Sequence, residues 1–503
     1  MSKLKIKGGS KLKGEVKVQG AKNEALQIIS ATLLTTRECI IHNVPNIVDV
    51  NNLLNILKLA GAQIERNGNV SQNTVSIKCK NIESQFFLSE DWKREAGKLR
   101  GSITLMGPVL SRFGAVAIPT FGGDKIGKRP IDTHINGFIA LGYHYNGDFV
   151  YSDARKHEFN HDHTKTEDKN QRDSLIVTYR NCDYDTSDNG DAMGGNVNNS
   201  NSDGTKKIKC ILLEEASVTG TANMILAAYN FKEKIVLSNM AAEPYIEQLC
   251  IFLEKLEMNI IGRGTSKIKL NYEGNNSLSI NRNVALGKKF DYNNSNNVVT
   301  HYVLPDFIEV ASFLSLASIT DSDMWIRGCG VENLGMTLLP FRRLGINFDI
   351  INDDIHVYDN REYTVSTYSN GEPLTIYSEP WPKVSPDILS LLLVAAIQSH
   401  GTVLIHEKMY ESRLFFTDKL IGMGAQIILC DPHRAIVVGL NRNKILQARR
   451  MDGPDIRAGM ALVIAALSAD GESIIDNAEQ IDRGYENLVE RLVALGAQVE
   501  RVV

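Results

Sequence analysis

Along the chain, apolar residues recur at helical spacing, give way to a small residue, and resume in a short alternating stretch. LLNILKLAGAQIER (53–66) is one instance, and INGFIALGYHYNG (135–147), LCIFLEKLEMNIIG (249–262), LPFRRLGINFDI (339–350), FTDKLIGMGAQIIL (416–429) and LVERLVALGAQVER (488–501) repeat it. Apolar positions three and four apart predict an amphipathic helix, and the alternation after it predicts a half-buried strand. Gly61, Gly142, Gly345, Gly424 and Gly496 stand where a helix C-terminus favours a residue tolerant of positive φ. The third copy carries Glu257 at that place. Most copies lie about 70 to 90 residues apart, longer than a solenoid unit, so each copy belongs to a small α/β motif.

A second class of helix precedes each of these. AKNEALQIISATLL (21–34), GKLRGSITLMGPVL (97–110), ASVTGTANMILAA (216–228), PDFIEVASFLSLA (305–317), SPDILSLLLVAAI (385–397) and PDIRAGMALVIAAL (454–467) are apolar all round beyond the first turn. That pattern predicts buried helices lining a core. Their first turns instead carry Lys22 and Asn23, Arg100, Ser217, Asp306, Asp387, and Asp455 with Arg457. Each polar residue alone reads as a cap or first-turn charge. Six in six repeats point to a shared cleft for anionic ligands at helix N-termini.

The chain has 503 residues, too many for one ordinary core, which argues for at least two domains. A formal net charge of -4 gives no reason to expect nucleic acid or an anionic membrane surface as a partner. The apolar runs, such as ILSLLLVAAI (388–397), are shorter than the roughly 20 residues a bilayer span requires. Seven scattered cysteines without a C-x-x-C pair argue against structural zinc and a disulfide framework, so a reducing, cytoplasmic setting is expected.

Two stretches depart from the repeats. HEFNHDHTKTEDKNQRDS (157–174) and SDNGDAMGGNVNNSNSDGTKK (187–207) are polar and lack periodic apolar residues, so about 152–207 is expected to be a solvated, disordered insertion. His157, His161 and His163 have no standard metal-ligand spacing there, and no metal is expected. FGGDKIGKRP (121–130) places Asp124 among glycines and basic residues. It nearly matches the phosphate-binding G-x-x-x-x-G-K-[ST] loop, but Arg129 replaces the magnesium-binding hydroxyl and Pro130 follows, which argues against an ATPase.

GAKNEAL (20–26), LRGSITLMGP (99–108), IGKRPIDTHI (126–135), AAEPYIEQL (241–249), HEKMYESR (406–413) and IDRGYENL (481–488) together resemble the UDP-N-acetylglucosamine 1-carboxyvinyltransferases of the enolpyruvyl transferase family. The resemblance covers nearly all of the chain outside the polar stretches. It implies a two-domain, inside-out α/β barrel of six βαβαββ repeats, three per domain. One domain would comprise 1–21 plus 305–503, and the other 22–304 with the catalytic loop 121–130. It further implies transfer of the enolpyruvyl group of phosphoenolpyruvate to the 3′-hydroxyl of UDP-N-acetylglucosamine, by addition and elimination, without a cofactor, in peptidoglycan precursor synthesis. Both substrates are polyanions, so the site needs gathered cations despite an acidic chain.

By the same resemblance Lys22, Asn23, Arg129 and Arg483 hold phosphoenolpyruvate. Arg100, Arg129, Pro130, Ile131, Asp132, Thr133, Glu215, Ala216, Ser217, Val218, Asp387 and Met409 line the nucleotide-sugar site. Lys22, Asp124, Asp387 and Arg483 carry the chemistry, with Glu243, Arg413, Asp455 and Arg457 in support. Asp387 is the expected base for the 3′-hydroxyl. Glu215 stands where many relatives carry lysine, and a carboxylate does not complement a diphosphate. Asp124 aligns with a cysteine that fosfomycin alkylates in sensitive relatives, so resistance to that inhibitor is expected. Two alternatives remain open: a shikimate 3-phosphate enolpyruvyl transferase, and a catalytically silent nucleotide-sugar binding protein.

Overall fold

The computed structural model describes residues 2–69, 72–123, 127, 130–159, 208–272 and 298–502. Asp124, Lys125, Lys128, Arg129 and most of the polar insertion lie outside the described residues.

Five of the sheets share one plan: a parallel pair of strands, followed by two strands added antiparallel. In the sheet built on Glu38–His42, the parallel partner is Val299–Tyr302 and the antiparallel strands are Gln72–Lys78 and Gln63–Asn69. Lys209–Leu212 and Ile235–Ser238 begin a second such sheet, and Leu374–Tyr377 and Thr402–His406 a third. The remaining two borrow strands from the start of the chain. Lys13–Lys17 pairs parallel with Asp323–Arg327, and Lys3–Lys7 lies between Glu472–Asp476 and Gln498–Val502. A sixth sheet contains three antiparallel strands among the described residues, Ala115–Ala117, Phe149–Tyr151 and His144–Tyr145. Repeated α/β units thus form two groups of three sheets, with the chain crossing between them near Gly20 and Pro305, which form an antiparallel bridge.

Each group encloses buried helices. Phe307–Ile319, Pro386–Ala396 and Ile456–Ser468 pack against one another, and Phe307–Ile319 is buried at every position. In the other group Lys22–Ala31, Met106–Phe113 and Val218–Ala227 play this part, the second preceded by a 3-10 segment, Arg100–Leu105. An all-apolar helix has no face to offer water, so it is covered by the amphipathic helices and sheets around it. The outer helices, among them Val48–Leu59, Pro244–Lys255 and Leu488–Ala494, show mixed burial.

The helix-ending glycines behave as their position predicts: φ is +100° at Gly61, +106° at Gly142, +86° at Gly345, +101° at Gly424 and +94° at Gly496. Glu257 adopts the same left-handed backbone, at φ +72°, without the freedom of glycine. The third repeat therefore keeps the geometry and bears its steric cost. Among the described residues, Cys39, Cys79, Cys250, Cys329 and Cys430 are free thiols. No helix among the described residues is long and apolar enough to cross a membrane.

Candidate active site

First-turn residues of the buried helices Lys22–Ala31, Pro386–Ala396 and Ile456–Ser468 take part in two acid–base clusters. The first centres on Asp49, in the opening turn of Val48–Leu59. Its Oδ2 accepts from Lys22 Nζ at 2.7 Å, and its Oδ1 accepts from Arg483 Nε at 3.0 Å. Arg483 belongs to the 3-10 turn Ala478–Arg483 of the opposite lobe, and its Nη1 donates to Gln480 Oε1 at 3.0 Å. Burial pushes the Asp49 carboxyl up, but Lys22 and Arg483 outweigh it and hold it below the usual carboxylate range. Lys22 opens the helix Lys22–Ala31, whose N-cap, Ala21, supplies no side-chain acceptor to the first-turn N–H groups.

The second cluster surrounds Asp387, which follows Ser385 and Pro386 at the start of its helix. Ser385 Oγ accepts from the Asp387 N–H at 3.3 Å, while the Asp387 carboxylate faces outward to two guanidiniums. Arg413 Nη2 donates to Oδ1 at 2.9 Å, and Arg457 Nη2 lies 3.7 Å from Oδ2. Asp455 caps the helix Ile456–Ser468, accepting from the N–H groups of Arg457 and Ala458 at 2.8 and 2.9 Å. Its charge, with those of Asp387 and Glu407, holds the buried Arg413 protonated against desolvation. Asp306 caps the neighbouring helix through Ile308 N–H at 2.9 Å, and burial raises its carboxyl to about 6 although Arg457 opposes this.

A third set joins these clusters. The Asn23 side chain hydrogen-bonds Tyr245, whose fully buried phenol is held neutral first by burial and then by the charges of Glu243 and Asp387. Glu243 precedes Pro244 at a helix start and accepts a backbone N–H from Trp381 of the other lobe. Burial raises its carboxyl to about 7 against these backbone bonds. Among the described residues, Arg413 Nε and Nη1, Arg457 Nη1, Glu243 Oε2 and Glu407 Oε2 are buried side-chain atoms with no hydrogen-bond partner. Such atoms are costly inside a protein unless something pairs them; those of the two arginines belong to side chains that meet Asp387, and Arg413 Nε lies 3.9 Å from Glu407 Oε2.

The segment 407–413 is shaped by Glu407. Its Oε1 accepts from Ser378 Oγ at 2.8 Å and from the N–H groups of Met409 and Tyr410 at 2.8 and 3.2 Å. Met409 therefore commits its N–H to Glu407 and exposes its side chain. Gly127 lies against this segment: a Cβ there would stand 3.4 Å from the Glu411 nitrogen.

On the remaining wall, Ile131 is the N-cap of Asp132–Leu141, Thr133 is buried, and Pro130 and Asp132 are exposed. His134, behind them, bonds Asn223 at 2.9 Å and Thr219 at 3.3 Å. Burial, with the charge of Arg100, lowers its imidazole to about 3, so it is neutral, and Arg100 is near this wall. Ser217 caps Val218–Ala227 by accepting from Gly220 N–H at 3.2 Å, with Ala216 beside it. Glu215 is exposed, and its carbonyl accepts from Ser217 N–H at 2.7 Å. Of the residues singled out in the sequence, Lys22 and Arg483 share one carboxylate, and Asp387 joins Arg413 and Arg457. Asn23 and Glu243 meet through Tyr245. Asp124 and Arg129 lie outside the described residues. Asp49, Glu407 and Tyr245 were not anticipated. Asp49 had a signal: with Leu53 and Leu57 it falls every fourth position on the buried face of its helix, an unusual place for an acid. No group of His, Cys, Asp and Glu among the described residues is arranged to hold a metal ion.

Comparison with known proteins bears on this arrangement. The family model of EPSP synthase (3-phosphoshikimate 1-carboxyvinyltransferase) matches residues 6–154 and 192–492. UDP-N-acetylglucosamine 1-carboxyvinyltransferase of Porphyromonas gingivalis is 42% identical over 502 residues, covering 100% of both chains. The protein of that name from Borreliella burgdorferi is 36% identical over 497 residues, 99% of this chain and 98% of its own. Among solved structures, the enolpyruvyl transferase NikO from Streptomyces tendae matches with a TM-score of 0.73 at 17% identity, covering 100% of this chain and 99% of NikO. EPSP synthase from Acinetobacter baumannii matches with a TM-score of 0.63 at 15% identity, covering 100% of both. The last two are likenesses of fold.

Proposed function

The chain belongs to the EPSP synthase family, and on that premise we propose that it transfers the enolpyruvyl group of phosphoenolpyruvate to the 3′-hydroxyl of UDP-N-acetylglucosamine, releasing phosphate. The reaction supplies a peptidoglycan precursor. One observation carries the choice of acceptor: the full-length relatives at 36% and 42% identity bear the nucleotide-sugar name rather than the shikimate one. The site chemistry supports the same reading, since two cation clusters separated by a buried polar seam suit two anionic substrates.

In this reading the chain works as two lobes, 22–304 and 1–21 with 305–503, which close on the substrates. Lys22 and Arg483 hold the phosphate of phosphoenolpyruvate, with Asn23 and Arg129 beside them. First-turn N–H groups of Lys22–Ala31, lacking a side-chain cap, are suited to the same anion. Asp387 takes the proton from the 3′-hydroxyl as the oxygen bonds to C2, and Asp124 gives a proton to the methylene carbon. Loss of a proton from the resulting methyl group then expels phosphate. Arg413 and Arg457 keep Asp387 aimed. The wall from Arg129 to Thr133, with Arg100, Glu215 to Val218 and Met409, receives the nucleotide sugar; Glu243 and Asp455 support the polar network.

An isolated aspartic acid titrates near 3.9, so Asp124 acts as an acid only when closure excludes water and the substrate phosphates offset the loop cations. Phosphate release is measured with each substrate alone and with both. It is expected only with both, and shikimate 3-phosphate is not expected to replace the nucleotide sugar. Release without UDP-N-acetylglucosamine, or binding of that ligand with no turnover, defeats the reading. Fosfomycin is expected to cause no time-dependent inactivation, and Asp124→Cys to restore it; an adduct on Asp124 in the unsubstituted chain would contradict this.

A further inference from the structure

Asp49 was not assigned a part in the transfer, yet it is the acid through which Lys22 and Arg483 meet. The pair spans the lobes. Asp49 lies on a helix packed with the sheet of Glu38–His42, whereas Arg483 ends a 3-10 turn that follows strand Glu472–Asp476. The carboxylate is behind and the cations in front: side-chain exposure is 2% for Asp49, 11% for Lys22 and 13% for Arg483. Both carboxylate oxygens are used, at 2.7 Å by Lys22 and 3.0 Å by Arg483. Gln480 then fixes the far side of the guanidinium at 3.0 Å. The seam continues beside it, where Glu486 accepts from Asn46 N–H at 3.1 Å and from Asn73 Nδ2 at 2.9 Å.

A surface ion pair would be exposed and worth little, and a structural pair would lie within one lobe. This one is buried and crosses the seam, with both cations more exposed than the acid they share. Without the acid, the two cations repel each other and the long side chains regain their rotamer freedom. We infer that Asp49 is a positioning residue: it receives Arg483 as the lobes meet and aims Arg483 and Lys22 together at the phosphate of phosphoenolpyruvate. The inference rests on the reaction proposed above.

It is tested on the full chain by turnover, and by calorimetric binding of phosphoenolpyruvate and of UDP-N-acetylglucosamine, for Asp49→Asn and Asp49→Glu. Asp49→Asn is expected to lower kcat/KM for phosphoenolpyruvate by at least about tenfold and to weaken its binding, while affinity for UDP-N-acetylglucosamine alone stays within about twofold. Asp49→Glu, which keeps the charge, is expected to retain more activity than Asp49→Asn. A smaller loss, an equal loss for both ligands, or an Asn variant as active as the Glu variant overturns the inference. If the unsubstituted chain shows no substrate-dependent phosphate release, the reaction itself is wrong, and the binding measurements still report whether Asp49 organises the anion site.

Discussion

The two acid-centred clusters are built alike and held differently. Asp387 lies between Arg413 and Arg457, all three carried by one lobe, with helix caps and Glu407 behind them. Asp49 lies between Lys22 and Arg483, one cation from each lobe. The first is finished when its lobe folds, whereas the second is finished only when the lobes meet. The Asp387 side chain keeps 27% of its surface exposed, as a group that must reach substrate should, while Asp49 keeps 2%. On the proposed roles, the acid that does chemistry is the more exposed, and the acid that arranges cations sits behind them.

The largest effect that could break this contrast is at Asp387. Asp387→Asn keeps the shape and is expected to lower kcat about 10³-fold, and to lower the melting temperature as well because buried Arg413 loses its strongest counter-charge. Steady-state phosphate release and thermal denaturation measure both, and a loss below about tenfold would remove its role as base. Next come the arginines. Arg413→Leu leaves Asp387, Glu407 and Asp455 crowded without their buried cation, and should cost about 3–5 kcal/mol of stability. Arg483→Leu, at the seam, should cost less, about 2 kcal/mol, while still impairing turnover, because the buried Asp49 keeps Lys22 as its counter-charge. Equal losses in denaturant titrations would erase the distinction.

A pH titration sharpens it further. The native state holds the Glu243 proton more tightly than the unfolded chain, whose carboxyl titrates near 4.5. The associated stability is complete below that pH and is lost as the pH rises through about 7. Glu243→Gln should therefore flatten the dependence between pH 5 and 8, by up to about 3 kcal/mol, in denaturant titrations. The smallest effect is expected away from both clusters: Glu257→Gly relieves a left-handed backbone and should add about 1 kcal/mol.

The buried helices were legible because nothing polar follows their first turns, and such a pattern has few other solutions. Their glycine-ended outer companions were legible for the same reason, and Glu257 shows that the repeat dictates the backbone even where the residue resists it. Asp387 and Arg457 stood out as charged first-turn residues of otherwise apolar helices, and Arg413 as part of the segment HEKMYESR (406–413). Asp49 escaped because an acid in a helix's first turn is ordinary, and only its place on the apolar stripe separates it from a dipole-favoured surface charge. Glu407 left no pattern at all: its worth comes from three donors brought to it by folding. Sequence spacing registers a periodic face well and a convergence of distant segments poorly.

Strand Lys3–Lys7 precedes one lobe in the chain, yet pairs with Glu472–Asp476 and Gln498–Val502, which follow it. During synthesis this strand must wait, unpaired, until nearly every other residue has emerged, while the sheets and helices between it and those partners can already fold. That ordering makes assembly of the outer lobe the slow, late event, and leaves its sheet open to wrong neighbours until the final strand arrives.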